Sequence, residues 1–173
     1  MANTYQLINS YTVGAGTTST VTFSSIPNTY TDLLINTCAR TNSTNYPDFD
    51  TLTFNGSSSN FSFVYLQGNG SGGSAAAGSG TSALGGILTT ANTGMTTGAF
   101  SNTEYYIFNY ASSINKNYYL HTTMETNNAS NSYQELAVVG WANTSAITSV
   151  TLTTTGGSFV QYSTFYLYGI SNS

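Results

Sequence analysis

The stretch that decides the fold runs from Ala146 to Ile170 and reads AITSVTLTTTGGSFVQYSTFYLYGI. In its first half, Val150 and Leu152 fall on one face and threonines on the other, as in a half-buried β-strand. Gly156-Gly157 then interrupts the alternation, and two glycines can both adopt the positive φ angles of a tight turn. The stretch therefore predicts a β-hairpin.

The second arm of this predicted hairpin is apolar on both faces. Phe165 and Leu167 point to one side, whereas Tyr166, Tyr168 and Ile170 point to the other. Such a strand needs cover on both sides, from a core together with either a second sheet or a neighbouring subunit. Residues 104–110 are also apolar on both strand faces, and the single tryptophan of the chain is Trp141. The candidates for an interface with another subunit or with a partner protein are Tyr105, Ile107, Trp141, Tyr166, Tyr168 and Ile170.

The chain carries unusually few charges. Only 5% of its 173 residues are charged, its net charge is -4, and Arg40 and Lys116 are its only basic side chains. Because nucleic-acid binding requires clustered basic residues, we expect no nucleic-acid partner. Polarity comes instead from 30 Thr, 24 Ser and 19 Asn, alongside 14 Tyr and 9 Phe, a composition that favours strands and turns.

Turn signals every 8 to 15 residues divide the chain into about ten strands, with no significant helix. This pattern predicts a single domain over residues 1–173, an all-β, antiparallel, jelly-roll-like β-sandwich. Asn55-Gly56 is a strong turn signal. Residues 67–86, rich in Gly, Ser and Ala, predict a long flexible loop that either moves freely or lies ordered against a partner.

Residues with catalytic or metal-binding chemistry are sparse. Asp48 and Asp50 offer carboxylate oxygens for a calcium ion but lack the rest of a recognised calcium loop, so they are weak metal candidates. His121, the only histidine, shares a strand face with Glu125, which lies two positions along that face and is a candidate to orient His121 as a general base. We expect a hydrogen-bonded surface imidazole instead. The spacing of the six carboxylates selects no glycosidase pair. We therefore expect no cofactor and no enzymatic activity.

The N-terminus has no basic region followed by an apolar run, and no apolar run approaches the length of a membrane span. We therefore expect a protein without a signal peptide and without a membrane partner. Cys38 is the only cysteine and is expected to be a buried hydrophobe.

Five segments together resemble small virion proteins of tailed bacteriophages, cyanophages among them. The segments are Asn28–Ile35 (NTYTDLLI), Phe54–Gly56 (FNG), Gln67–Gly70 (QGNG), Thr123–Ser130 (TMETNNAS) and Gly156–Ile170 (GGSFVQYSTFYLYGI). The resemblance implies a capsid decoration, or cement, protein that is made in the host cytoplasm and binds the outer surface of the phage head as a homotrimer. Its partners would be further copies of itself and the major capsid protein.

The resemblance also leaves open a module of a tail fibre that recognises a host surface glycan. In that alternative, Trp141 and exposed tyrosines stack on sugar rings.

Overall fold

The computed structural model describes residues 4–44, 48–81, 88–124 and 132–171. Within these ranges every regular element is a β-strand, as the composition predicts. The strands are β1 (Tyr5–Thr12), β2 (Thr17–Thr18), β3 (Thr20–Phe23), β4 (Asp32–Ala39), β5 (Asp48–Phe54), β6 (Phe61–Gly68), β7 (Gly73–Thr81), β8 (Leu88–Thr90), β9 (Ser101–Phe108), β10 (Lys116–Met124), β11 (Tyr133–Trp141), β12 (Val150–Thr154), β13 (Phe159–Val160) and β14 (Thr164–Ile170). The estimate of about ten strands missed several short ones.

The strands form an antiparallel sandwich of two unequal sheets. The large sheet has eight strands in the order β1-β14-β4-β9-β10-β11-β6-β7, and the smaller sheet has four in the order β3-β12-β5-β8. Strands β2 and β13 form a separate pair. The core lies between the two main sheets, where Phe54 of β5 packs edge-on against Tyr118 of β10 and Trp141 of β11. The predicted all-β sandwich is confirmed.

The predicted hairpin between the arms around Val150 and Phe165 is wrong. Strand β12 pairs with β3 and β5 in the small sheet, whereas β14 pairs with β1 and β4 in the large sheet. Gly157 has no positive φ angle, but a Cβ there would lie 2.7 Å from the backbone nitrogen of Ser43. The glycine therefore allows two segments to pack closely while the chain crosses between sheets.

The predicted loop over residues 67–86 also needs correction. The chain continues β6 to Gly68, turns, and returns as β7 over residues 73–81, while 82–87 lie outside the described residues. Asn69 closes the turn: its Oδ1 accepts hydrogen bonds from the backbone nitrogens of Ser71 and Gly72. Glycine and alanine can form this strand because a sheet edge supplies main-chain hydrogen bonds whatever the side chains are.

Candidate functional site

The outer face of the large sheet, the face turned away from the small sheet, carries a continuous row of apolar and aromatic side chains. Directly opposed residues on successive strands share a face, so the register of strand pairing traces this row across all eight strands. We call it the outer row; its members are Leu7, Tyr168, Leu34, Tyr106, Tyr119, Val138, Val64 and Ala77. No charged residue interrupts it.

Toward β7, the outer face is aliphatic and strongly exposed. Val64 and Leu66 of β6 lie opposite Val138 and Leu136 of β11, and these four side chains form what we call the aliphatic patch. Their exposed fractions lie between 47% for Leu136 and 60% for Leu66. The inward neighbours on β11, such as Val139, are fully buried, so this strand is apolar on both faces. Four adjacent exposed aliphatic side chains indicate a contact surface.

Toward the middle of the sheet, the outer face is aromatic. The rings of Tyr106 and Tyr119 stack with centroids 5.6 Å apart and an interplanar angle of 3°, and Phe108 lies 5.0 Å from Tyr106. Two carboxylates hold these tyrosines: Tyr106 Oη donates to Asp32 Oδ2 at 2.9 Å, and Tyr119 Oη donates to Glu104 Oε1 at 3.1 Å. Desolvation and the hydrogen bond to Asp32 raise the pKa of Tyr106 to about 12. The three rings form a rigid platform.

Beside this platform lies a shallow polar groove of about 360 Å³. His121 and Glu104 face each other across β10 and β9, and Gln134 Nε2 lies 3.1 Å from His121 Nε2. Asn36 and Asn102 also line the groove. Glu125, the expected partner of His121, lies outside the described residues. Amide, imidazole and carboxylate groups next to stacked aromatic rings can hydrogen-bond and stack on a polar ring-shaped ligand.

The structure corrects four of the six predicted interface residues. Tyr105, Ile107 and Trp141 are each at most 1% exposed and belong to the core between the sheets. Ile170 lies on the same face of β14 as Tyr166 and Tyr168, but it is only 2% exposed, so it offers no contact surface. Tyr105 and Ile107 alternate with the outward residues of β9. Because both faces of this strand are apolar, the sequence pattern does not distinguish the inward face from the outward one. Trp141 packs against Phe54 in the core instead of lying free to stack on a sugar.

The remaining two predicted interface residues do lie on the outer face. Tyr166 is 36% exposed and Tyr168 is half-buried, and their rings stack with centroids 6.4 Å apart. Tyr168 belongs to the outer row, between Leu7 and Leu34. The aliphatic patch was missed, although the doubly apolar alternation of residues 136–141 was a signal that could have revealed it.

A second set of polar residues lies buried between the sheets. Asp48 Oδ2 accepts a hydrogen bond from Thr41 Oγ1 at 2.5 Å, and Asp50 Oδ2 accepts one from Thr90 Oγ1. Asp50 Oδ1 and both carboxylate oxygens of Glu135 are buried with no hydrogen-bond partner in the described part of the chain. Unpartnered carboxylates in an apolar interior favour the protonated, neutral form.

Burial accordingly raises two acid pKa values in this layer. Desolvation is the main cause for Asp50, whose pKa rises to about 8; the bond from Thr90 lowers it and the charge of Asp48 raises it. Desolvation alone raises the pKa of Glu135 to about 8. Desolvation is also the main cause that raises the pKa of Tyr105, and the charges of Asp50, Tyr118 and Glu135 raise it further. Asp50 and Glu135 therefore keep their protons at and below neutral pH.

Asp48 and Asp50, the weak metal candidates, are both buried and bonded to threonines. Among residues 4–44, 48–81, 88–124 and 132–171, no three His, Cys, Asp or Glu side chains come together to hold a metal ion. The geometry described here thus assigns these two acids to packing between the sheets.

The two basic side chains donate hydrogen bonds to backbone carbonyls of the same chain. The guanidinium of Arg40 donates to the carbonyls of Thr96 and Ala99 at 3.0 and 2.7 Å. Lys116 Nζ donates to the carbonyls of Ser112 and Ile114 at 2.7 and 2.5 Å. Burial lowers the pKa of both groups. Neither cation is placed to attract an anionic partner.

No known protein family, curated protein or solved structure matches the chain. Within the described ranges, no helix is long and apolar enough to cross a membrane. The site therefore has to be interpreted from its own geometry.

Proposed function

We propose that this protein is a non-enzymatic structural component of a phage virion, a decoration protein that binds the outer surface of the head as a homotrimer. The observation that carries the proposal is the outer row, an uncharged apolar band across all eight strands of the large sheet. A monomer would leave about half of the surface of Leu7, Val138 and Val64 in water, whereas assembly buries it. The sequence resemblance to phage virion proteins supports the virion as the place of assembly.

The size of the outer face fits a stable protein contact. Eight strands spaced about 4.8 Å apart and three outward rows about 7 Å apart span an area of about 750 Å². A standard specific interface buries about 800 Å² on each partner. The face is therefore large enough for one complete contact, either with a neighbouring subunit or with the capsid protein.

The chemistry of the face indicates a contact that salt weakens little. The aliphatic patch carries no charge, and both cations of the chain are bonded to its own carbonyls. Burial of apolar surface and main-chain or amide hydrogen bonds would supply the binding energy, and ionic screening acts on neither strongly. We expect high salt alone to leave the protein on its particle.

The copy number per virion tests the proposal. Quantitative mass spectrometry of purified particles, scaled to the major capsid protein, should find hundreds of copies for a shell component. A few copies to a few tens would place the protein on the tail or at a vertex and overturn the decoration role. Light scattering of the isolated protein checks the trimer, which a monomer mass would refute.

A second candidate function rests on the aromatic platform and the groove beside it. Stacked Tyr106 and Tyr119, flanked by Glu104 and Asn102, resemble the combination of ring faces and polar groups that binds a sugar. In this alternative the protein is a receptor-binding module that recognises a glycan on the host surface. The platform replaces Trp141 in that role, because Trp141 is buried.

A glycan array separates the two functions. Binding that Tyr106→Ala and Tyr119→Ala abolish, and that Tyr162→Ala retains, would favour the receptor-binding function; Tyr162 is an exposed tyrosine away from the platform. Absence of binding by the folded wild-type protein would count against it.

A further inference from the structure

Among the described residues, no strand covers the edge of the large sheet that β7 forms. β7 is the last strand of the sheet and pairs only with β6, so one side of its backbone has no strand neighbour in the described structure. Residues 73–79 include no charged residue and no proline, and they pair with residues 62–68 of β6 without a register shift. Folded proteins usually block such an edge with charges, proline, bulges or a covering segment.

The opposite edge of the same sheet, β1, is protected. A register shift between Leu7 and Asn9 marks a bulge, and bulges twist an edge strand away from new partners. Large side chains, including Tyr5 and Tyr11, also project from it. Both edge strands thus carry one register shift, but the shift in β1 lies inside its paired stretch, whereas that of the β6–β7 pair lies at its end, between Phe61 and Ser62. Residues 73–79 therefore stay regular and carry only small side chains.

From this contrast, we infer that β7 of one copy pairs antiparallel with β7 of a second copy, about a two-fold axis at Ala76. In that register Ala75 faces Ala77 of the other copy, and Ser74 faces Gly78. Every cross-strand pair then joins two small residues, so the backbones approach without crowding. The two eight-stranded sheets would continue as one sheet of sixteen strands, eight from each copy.

A second copy fits this edge better than a foreign strand for two reasons. Two identical antiparallel edges match in length and in hydrogen-bond pattern without a dedicated partner sequence. The chain carries a net charge of -4, and β6 and β7 contribute none of it, so two copies meet here without close like-charge repulsion. Gly and Ala have a low propensity for β-strands, so a strand built from them is stabilised when both of its edges form hydrogen bonds. Pairing with a second copy supplies the second edge.

The contact is separate from the outer face and goes beyond the proposed function. It uses main-chain groups at the edge, whereas the decoration proposal depends on side chains of the outer row. In a decorated shell it would link neighbouring trimers across two-fold axes. Its failure would leave the outer-face proposal untouched, because the two surfaces are tested with different variants.

Cysteine cross-linking of the purified full chain tests the pairing and its register. The native thiol is removed as Cys38→Ser, and Ala76→Cys is then oxidised. Cysteines that face each other at about 4.5–5.5 Å across an antiparallel pair are within disulfide range. Because such pairing raises the effective thiol concentration to about millimolar, we expect about tenfold more cross-linked dimer than from Ser10→Cys, an exposed control on β1.

A second cross-linking experiment tests the register of the β7 pair. A mixture of Ala75→Cys and Ala77→Cys chains should form mixed disulfide dimers, whereas each variant alone should cross-link less, because its thiols lie diagonally across the pair. Cross-linking of Ala76→Cys no greater than that of the Ser10→Cys control would overturn the inference. Equal yields at all three positions would also overturn it.

An edge charge gives an independent check. Ala76→Lys places two like charges together on the axis, and light scattering should show a smaller particle mass than for the wild type, because the copies joined through β7 separate. Thr20→Lys, at an exposed position on β3 of the small sheet, should leave the mass unchanged. Circular dichroism verifies that both variants fold. A mass that Ala76→Lys does not alter contradicts β7 pairing.

Discussion

Val138 lies directly opposite Val64 across β11 and β6, and both side chains keep about half of their surface in solvent, 50% and 51%. Both lie in the middle of the aliphatic half of the outer row. Paired β-branched residues at adjacent strands are normally covered when they are this apolar. The pair therefore provides the most direct position at which to test whether the outer face is a contact surface.

Val138→Lys should abolish binding to the particle while the protein stays folded. The substitution puts a charge at the centre of an apolar contact, and burying it without a partner costs several kcal/mol. The free energy of unfolding of the isolated chain should change by no more than about 0.5 kcal/mol, since Lys at an exposed site is tolerated. Co-sedimentation with stripped particles measures the binding.

The matched control is Thr20→Lys, which places the same charge on the exposed side of β3 in the small sheet. It should bind like the wild type. Equal binding by Val138→Lys and Thr20→Lys would show that the outer face is not the surface that contacts the particle.

Stability should fall as pH rises from about 4 to about 8. Asp50 and Glu135 have pKa values raised to about 8, so they keep their protons in the folded state where the unfolded chain has released them. The folded state then binds more protons than the unfolded state. Each acid therefore lowers the free energy of unfolding by about 1.4 kcal/mol per pH unit between its unfolded and folded pKa values. Above the folded pKa the contribution is lost and the dependence levels off.

Urea unfolding of Asp50→Asn across this pH range checks the assignment. The amide cannot ionise, so the variant should lose one of the two contributions to the slope and should be more stable than the wild type at pH 8. Thr90→Ala removes the hydrogen bond that lowers the pKa of Asp50, and it should extend the decline to higher pH. A slope that Asp50→Asn leaves unchanged would refute the role of this buried acid.

Gly169→Ala should destabilise the fold by about 1–3 kcal/mol, because forced overpacking displaces well-packed neighbours. The ring of Tyr30 lies over Gly169, and an added Cβ would collide with three of its carbon atoms. Thermal unfolding measures the loss. Gly68→Ala is the control, since its Cβ would meet nothing within 4 Å. In a double-mutant cycle, Tyr30→Ala should relieve most of the cost; strictly additive effects would contradict the contact.

Asn55→Ala should cost about 1–2 kcal/mol, because it removes three side-chain hydrogen bonds that join the turn to the segment before β12. Asn55 Nδ2 donates to the carbonyl of Ala146 at 2.8 Å, and its Oδ1 accepts from the nitrogens of Thr148 and Ser149 at 2.8 and 3.1 Å. Its φ of 52° adds strain for alanine. Fluorescence of Trp141 during denaturation reports the change.

Asn55→Asp keeps the acceptor and loses only the donor, so its stability should lie between those of the wild type and Asn55→Ala. An alanine variant as stable as the wild type would mean that this side chain does not tie the turn to the segment before β12.

Much of the local structure was predictable from the sequence. The alternation in β9, β10, β11 and β14 predicted strands, and Asn55-Gly56 predicted a turn, which both residues form with positive φ angles. These signals are local, because alternation and turn preference act between residues close in the chain. The strand at residues 73–79 escaped prediction because its small side chains carry no periodic signal.

The candidate site was predictable only in part. Tyr166 and Tyr168 were placed on the correct face, but Tyr105 and Ile107 were assigned outward because both faces of β9 are apolar. When alternation does not distinguish the faces, only packing against the second sheet decides which one is inside. The aliphatic patch likewise requires the register between β6 and β11, which pairs residues about 70 positions apart.

By itself, the sequence determined that this protein is all-β, low in charge and richer in apolar strand faces than one sandwich can bury, because composition and alternation are properties of the chain. Only the tertiary structure decided that β12 and β14 lie in different sheets, that Trp141 is buried, and that the outer row runs from Leu7 to Ala77. The physical reason is that sheet order and inward orientation arise from long-range pairing and burial, which no local pattern encodes.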